Sequence, residues 1–168
     1  MQKELPPLSV EKLDHIIQQH DVLKYHCESI LIAPNFANLV TTEGKFSIIF
    51  WPSQSNSLGH WTAVTFNEGR YEYFDSFGET FETNSEFLDE CKHRNTSVIS
   101  SNIKFQCQSS NLCGYFTLFF VYYRTLFMLE NYPIFLAKSF SLDCMHNENT
   151  VRAFYRKYYG NSVVSTIT

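Results

Sequence analysis

Glycine and proline are scarce in this chain, six and five among 168 residues. No Gly/Ser-rich or Pro-rich stretch marks a linker, and no repeat is visible, so residues 1–168 read as one domain. The same scarcity disfavours disorder over most of the length. Basic charge is also short: 13 Lys and Arg stand against 17 Asp and Glu, for a formal net charge of −4. There is no long basic run, which argues against a nucleic-acid-binding module and against an anionic membrane surface. The longest apolar run, Gly114 to Leu129, is interrupted by Arg124. It falls short of the roughly 20 residues that span a bilayer. It reads as a buried core helix, and no membrane partner is expected.

Closely paired cysteines are missing too. Cys27, Cys91, Cys107, Cys113 and Cys144 are odd in number and irregular in spacing. No secretory signal precedes them, since Met1 to Pro7 is polar with two prolines. These features lead to the expectation of free thiols in a reducing compartment, in a protein that is not secreted. Cys91-x-His93 and Cys107-x5-Cys113 lack the short paired spacings of structural zinc sites. No metal and no cofactor are therefore expected.

Aromatic residues are plentiful, with sixteen Phe and ten Tyr. A chain of this size buries about two thirds of its unfolded surface, so no disulfide staple is required. Ser9 caps a first helix over about 10–20, where Leu13, Ile16 and Ile17 recur at helical spacing. Tyr25 to Leu31 is ambiguous. Lys45 to Trp51, Trp61 to Phe66 and Arg70 to Phe74 read as strands, the last two joined by an Asn67-Glu68-Gly69 turn. Pro34 to Asn38 and Pro52 to Gly59 read as loops. Ser85 to His93 reads as a helix, and Ser97 to Phe105 as carrying a fourth strand. Cys113 to Leu129 is the central helix, ended by Asn131-Tyr132-Pro133. Ile134 to Phe140 fits a short helix or an edge strand. Asn147 to Tyr159 is a last helix stopped by Gly160, and a frayed tail is expected over about 161–168. The fold class is α+β: a small mixed sheet against a central buried helix with Cys113 at its N-terminus.

Residues 106–114 read Gln-Cys-Gln-Ser-Ser-Asn-Leu-Cys-Gly and run straight into that helix. A thiolate is the reactive form of cysteine, and a helix N-terminus favours it with about half a unit of positive charge. Gly114 lets a substrate backbone come close. His60 stands in Gly59-His60-Trp61 at the start of a strand, placed to act as base. Asp75 follows fifteen residues later, across one tight hairpin. It is placed to accept the second imidazole N–H and fix the tautomer. Gln106 supplies a neutral amide donor for an oxyanion, with the Cys113 backbone N–H as a second donor. Gln108 competes with Gln106 for that role. Each residue alone also has a plain reading: a small buried thiol, a loop histidine, a turn aspartate, a polar loop glutamine. Together they form four complementary parts in the order His, Asp, Gln, Cys.

Gly-His-Trp, a strand ending Tyr-Phe-Asp-Ser-Phe-Gly, and Gln-x6-Cys-Gly opening an apolar helix together resemble the adenain-like cysteine proteases. These are the processing enzymes of adenoviruses and of related adintovirus and Maverick/Polinton elements. The resemblance covers about residues 45–125 and, more loosely, Asn147 to Tyr158. It implies His60 as base, Asp75 as its orienter, Gln106 as oxyanion donor and Cys113 as nucleophile, with Trp61 lining a narrow substrate channel. It further implies cleavage of viral or mobile-element structural precursors after small, Gly-type residues. The setting implied is the host nucleus or cytoplasm, with packaging into a virion. Adenovirus enzymes use DNA and a cysteine-containing peptide as activators. The acidic charge here argues against DNA; an activating peptide stays open as a partner, with Cys91 and Cys107 reading as bystander thiols rather than its disulfide partner. The alternative is a ubiquitin-like or SUMO deconjugating isopeptidase. Those enzymes share the fold and the order of parts, but their glutamine sits six residues before the cysteine, where this chain has Cys107.

Overall fold

The computed structural model describes residues 4–53, 59–79 and 85–160. The tail expected to fray at 161–168 and the middle of the loop expected at 52–59 lie outside the described residues. The chain runs α1 (Val10–Gln19), α2 (Asp21–His26), β1 (Cys27–Ile32), β2 (Phe46–Trp51), β3 (His60–Asn67), β4 (Arg70–Phe74), α3 (Ser85–His93), β5 (Val98–Ser100), α4 (Cys113–Leu126), α5 (Tyr132–Ser139) and α6 (Cys144–Tyr159). Five strands form one mixed sheet in the order β1-β2-β3-β4-β5. The central β2-β3 and β3-β4 pairs are antiparallel, and both outer pairs are parallel. Glu68 and Gly69 both take positive φ between β3 and β4, the backbone that a two-residue hairpin turn requires.

Alternation along the strands divides the core in two. Phe46, Ile48, Trp61, Ala63 and Phe74 face α1, α4, α5 and α6. Ile49, Val64, Tyr71 and Tyr73 face the opposite way, onto Phe36, Leu39 and Val40 of the β1–β2 connection and Phe87 and Cys91 of α3. Both faces of the sheet are thus covered. Helix α4 is buried nearly all round from Cys113 to Val121, as its unbroken apolar sequence requires. Phe120 stacks on Phe74 of β4 with centroids 4.3 Å apart, and Phe140 stacks on both Phe74 and Phe105. Such contacts add about 0.5–1.5 kcal/mol each beyond burial. Here they fix α4 and the segment before Gln106 against the same strand.

Several boundaries differ from expectation. Residues 25–31 split between the end of α2 and β1. Helix α4 stops at Leu126, three residues early, because Arg124 turns back to donate to the carbonyls of Phe127 and Glu130. Arg124 also makes a bidentate pair with Glu72 of β4, and both side chains are fully buried. Pro133 opens α5 instead of merely ending α4, since a first-turn proline sacrifices no helical bond. Helix α6 begins three residues before Asn147, because Asp143 caps it by accepting from Met145 N and His146 N. Only Val98 to Ser100 of the expected fourth strand is paired as a strand.

The expectation of free thiols is corrected for two cysteines. Cys107 and Cys144 form a disulfide, while Cys27, Cys91 and Cys113 are free. The pairing joins the Gln106 loop to the first turn of α6, two regions 37 residues apart whose proximity no local spacing reveals. No described helix is long and apolar enough to cross a membrane.

Candidate active site

The start of β3 places His60. Gly59 turns the chain into the strand at φ +64°, and a Cβ there would sit 2.8 Å from Trp51 O. His60 then pairs with Trp51 as the first residue of the ladder. The β3–β4 hairpin returns Asp75 one residue past the last paired position, Ala63 with Phe74, diagonally across from His60. His60 Nε2 and Asp75 Oδ1 lie 2.9 Å apart. Asp75 is 3% exposed, so its carboxylate depends on protein donors; Phe77 N supplies a second one at 2.8 Å.

With Nε2 committed to Asp75, the second ring nitrogen, Nδ1, remains for the sulfur. Cys113 is, with Asp75, one of the two groups that act on the imidazole. Burial by itself pushes the His60 pKa down. Interaction with Asp75 and with Cys113 overcomes that and raises it to about 10. Cys113 is the first residue of α4, whose N-cap, Leu112, makes no side-chain capping bond. The first-turn N–H groups therefore have no intrahelical partner and no capping side chain. An imidazole held between a buried carboxylate and a thiol is the arrangement that makes sulfur a nucleophile.

The other two thiols sit in a different environment. Burial pushes Cys27 up to about 12, with Asp14 adding to the effect. Burial likewise pushes Cys91 up to about 12, with Glu90 adding. Cys107 is held in its disulfide, which removes it from any zinc set built on Cys91, His93, Cys107 and Cys113. The described residues contain no cluster of three or more His, Cys, Asp or Glu able to hold a metal.

Gln106 enters through the turn after β4. Gly78 at φ +69° packs so tightly on residues 103–104 that a Cβ would lie 2.7 Å from Ile103 C. This close approach brings Ser76 O within 2.9 Å of both Phe105 N and Gln106 N. The Gln106 side chain is fully buried; its Oε1 accepts from Ser76 Oγ at 2.6 Å and its Nε2 donates to Ser110 O at 2.9 Å. Gln108, by contrast, is exposed and accepts from Lys104 Nζ. The structure thus brings His60, Asp75 and Cys113 together and ties Gln106 to them through Ser76.

Trp61, implied to line a narrow substrate channel, and Gly114, expected to let a substrate backbone come close, are both covered by the chain itself. Trp61 is 2% exposed, its Nε1 donates to Leu8 O at 3.0 Å, and its ring packs on Phe50. A Cβ on Gly114 would lie 3.1 Å from both Leu8 and Trp61. Tyr115 Oη donates to Pro6 O. The segment before α1 therefore covers both residues.

Ser76, Ser110, Asn147 and Glu148 were not singled out for the site by sequence reasoning. Asn147 donates to Phe105 O, and Glu148 accepts from Cys107 N, so α6 grips both neighbours of Gln106. Their partners lie 30 to 42 residues away, apart from Ser110, which is four residues from Gln106 but acts through its backbone carbonyl. No residue-type pattern reports such contacts. No protein-family model matches this chain, and no curated protein does.

Proposed function

We propose that this chain is a cysteine endopeptidase of the adenain-like kind. Its substrates are polypeptides, with structural precursors of a virus or mobile element cut after small residues. The observation that carries the reading is the half-buried His60 imidazole bonded to buried Asp75 and acted on by Cys113, with the sulfur at the first residue of α4.

His60 takes the proton from Cys113, and Asp75 stabilises the resulting imidazolium. The sulfur adds to the carbonyl carbon of the small residue. The oxygen gains charge and receives hydrogen bonds from the Cys113 backbone N–H and the Gln106 amide. Collapse breaks the C–N bond as His60 protonates the leaving amine. Water then adds to the thioester, giving its proton to His60, and loss of sulfur frees the acid and restores the thiolate.

Limiting iodoacetamide followed by peptide mass mapping tests this. The disulfide protects Cys107 and Cys144, and burial holds Cys27 and Cys91 as thiols near neutral pH. Cys113 is expected to label first, and His60→Ala is expected to abolish that preference. Cys113→Ala is expected to fold normally and cleave nothing. Labelling of Cys113 no faster than Cys27, unchanged by His60→Ala, removes the basis of the assignment. Rapid turnover of ubiquitin-like substrates ending in a Gly-Gly fluorophore, with none of small-residue peptides, moves the assignment to deconjugation.

A further inference from the structure

We propose that Ser76 is a positioning residue that aims the Gln106 amide at the oxyanion, an inference that rests on the protease reading above. A glutamine amide has two N–H donors on Nε2 and two acceptor sites on Oε1, and in a buried site its orientation is set by its partners. Ser110 O is a backbone carbonyl and can only accept, so Nε2 must face it; the separation is 2.9 Å. Oε1 then faces Ser76 Oγ at 2.6 Å, and the hydroxyl must be the donor. Turning the amide over would set Oε1 against the Ser110 carbonyl and leave the Ser76 hydroxyl without its acceptor. Both side chains are fully buried, so no water makes good the loss.

Among the described residues, Ser110 O is the one acceptor of Nε2. One N–H is therefore left over, and an amide locked at both ends can present it in only one direction. The backbone adds a second restraint, because Ser76 O accepts from Phe105 N and Gln106 N at 2.9 Å each. Ser76 is also the residue after Asp75. A single turn thus holds the carboxylate that orients the base and the hydroxyl that orients the oxyanion donor. From the other side, Asn147 and Glu148 of α6 hold Phe105 and Cys107, so the main chain at Gln106 stays in place when the hydroxyl is removed.

The test separates oxyanion stabilisation from thiolate formation. A peptide aldehyde ending in a glycine-derived aldehyde adds the Cys113 sulfur to its carbonyl carbon; the C=O π bond opens and the oxygen, now in the oxyanion position, takes the thiol proton. Iodoacetamide reads the thiolate alone, since its displacement at carbon builds no oxyanion. Ser76→Ala is expected to weaken aldehyde binding and to lower kcat, with KM unchanged, by about tenfold, in keeping with one lost hydrogen bond to a buried acceptor. The iodoacetamide rate at Cys113 is expected to stay at the wild-type value. In a Gln106→Ala background, which itself costs about 100-fold, adding Ser76→Ala is expected to change aldehyde affinity no further.

Aldehyde affinity unchanged by Ser76→Ala overturns the inference and leaves the protease reading standing. A further loss in the Gln106→Ala background, or a parallel fall in the iodoacetamide rate, assigns Ser76 a general structural role and also overturns it. A wild-type protein that binds no aldehyde overturns the protease reading and this inference with it. Should Ser76→Ala fail to fold, Ser76→Cys keeps the shape with a much weaker donor. Its aldehyde affinity is expected below wild type, and an unchanged value there overturns the inference.

Discussion

Asp75 does two jobs with one oxygen: Oδ1 receives His60 Nε2 and Phe77 N together. Its charge therefore fixes both the imidazole and the turn that carries Ser76. The first job sets a pH dependence. An unfolded histidine titrates near 6.5, whereas burial, outweighed by Asp75 and Cys113, leaves folded His60 at about 10. The folded state holds this proton more tightly. Its contribution to stability is complete below about pH 6.5 and is lost as the pH climbs toward about 10. The gap in unfolding free energy between wild type and Asp75→Asn, from denaturant titrations, is expected to shrink steadily across that window; a gap that stays flat would show that Asp75 does not hold His60 charged. The same variant is expected to keep some turnover while losing about 10²–10⁴-fold in kcat. The meeting of His60, Asp75 and Cys113 was legible in the sequence because each ends or begins an element, and the ends of interior strands β3 and β4 lie together. Residue type alone left Gln106 and Gln108 competing, and only the Gln-x6-Cys spacing of the resemblance favoured Gln106. The choice depends on which glutamine lies under Ser76, a contact made 30 residues away.

At the scale of elements, α6 acts as a brace for the oxyanion segment. Its first two turns supply Cys144, Asn147 and Glu148, which reach Cys107, Phe105 and Cys107 N respectively. The disulfide is one of three ties, so its loss is expected to lower stability more than it disturbs the site. Closing a 37-residue separation contributes about 4 kcal/mol in the chain-entropy account. For a chain of this size that is about 10 °C in Tm. Cys144→Ser is expected to melt that much lower, by circular dichroism, while cleaving at 25 °C at close to the wild-type rate. Loss of activity at a temperature where the variant is still folded would show that the disulfide, rather than Asn147 and Glu148, places Gln106. The helix itself was legible from Val151, Phe154 and Tyr155, which recur at helical spacing and are buried. Its start was not, because Cys144, Met145 and His146 carry no apolar periodicity and are specified by the Asp143 cap alone. Arg124 was a similar case. It read as a break in an apolar run, and it is the residue that pairs with Glu72 and ends α4.

Across the whole molecule, the sheet is roofed on both faces, and the last piece of the roof near the site is the chain before α1. Leu8 lies on Gly114 and Trp61, and hydrogen bonds to Leu8 O and Pro6 O fasten it there. The β3, β4 and α4 elements announce themselves through periodicity, but this strap is irregular and its partners lie 53 and 109 residues away. The covering of Trp61 was therefore not legible, and the resemblance implied only that it lines a narrow channel. Two hydrogen bonds and one buried leucine are a modest tether, since a leucine contributes about 1.5–3 kcal/mol on full burial. The strap, in which Leu5 also packs partly on the core, is thus able to part from the nucleophile without disturbing the sheet. Leu8→Ala is expected to cost about 2–3 kcal/mol if the strap stays docked, and less than that if the strap lifts instead of leaving a cavity. Trp61 emission, read in a Trp51→Phe background, distinguishes the two. Lifting is expected to shift it to the red and expose it to acrylamide while hydrogen exchange in β2 and β3 stays protected. An unshifted emission together with the full loss of stability would mean the strap is a fixed part of the core, and substrate would then have to reach Cys113 without passing Trp61.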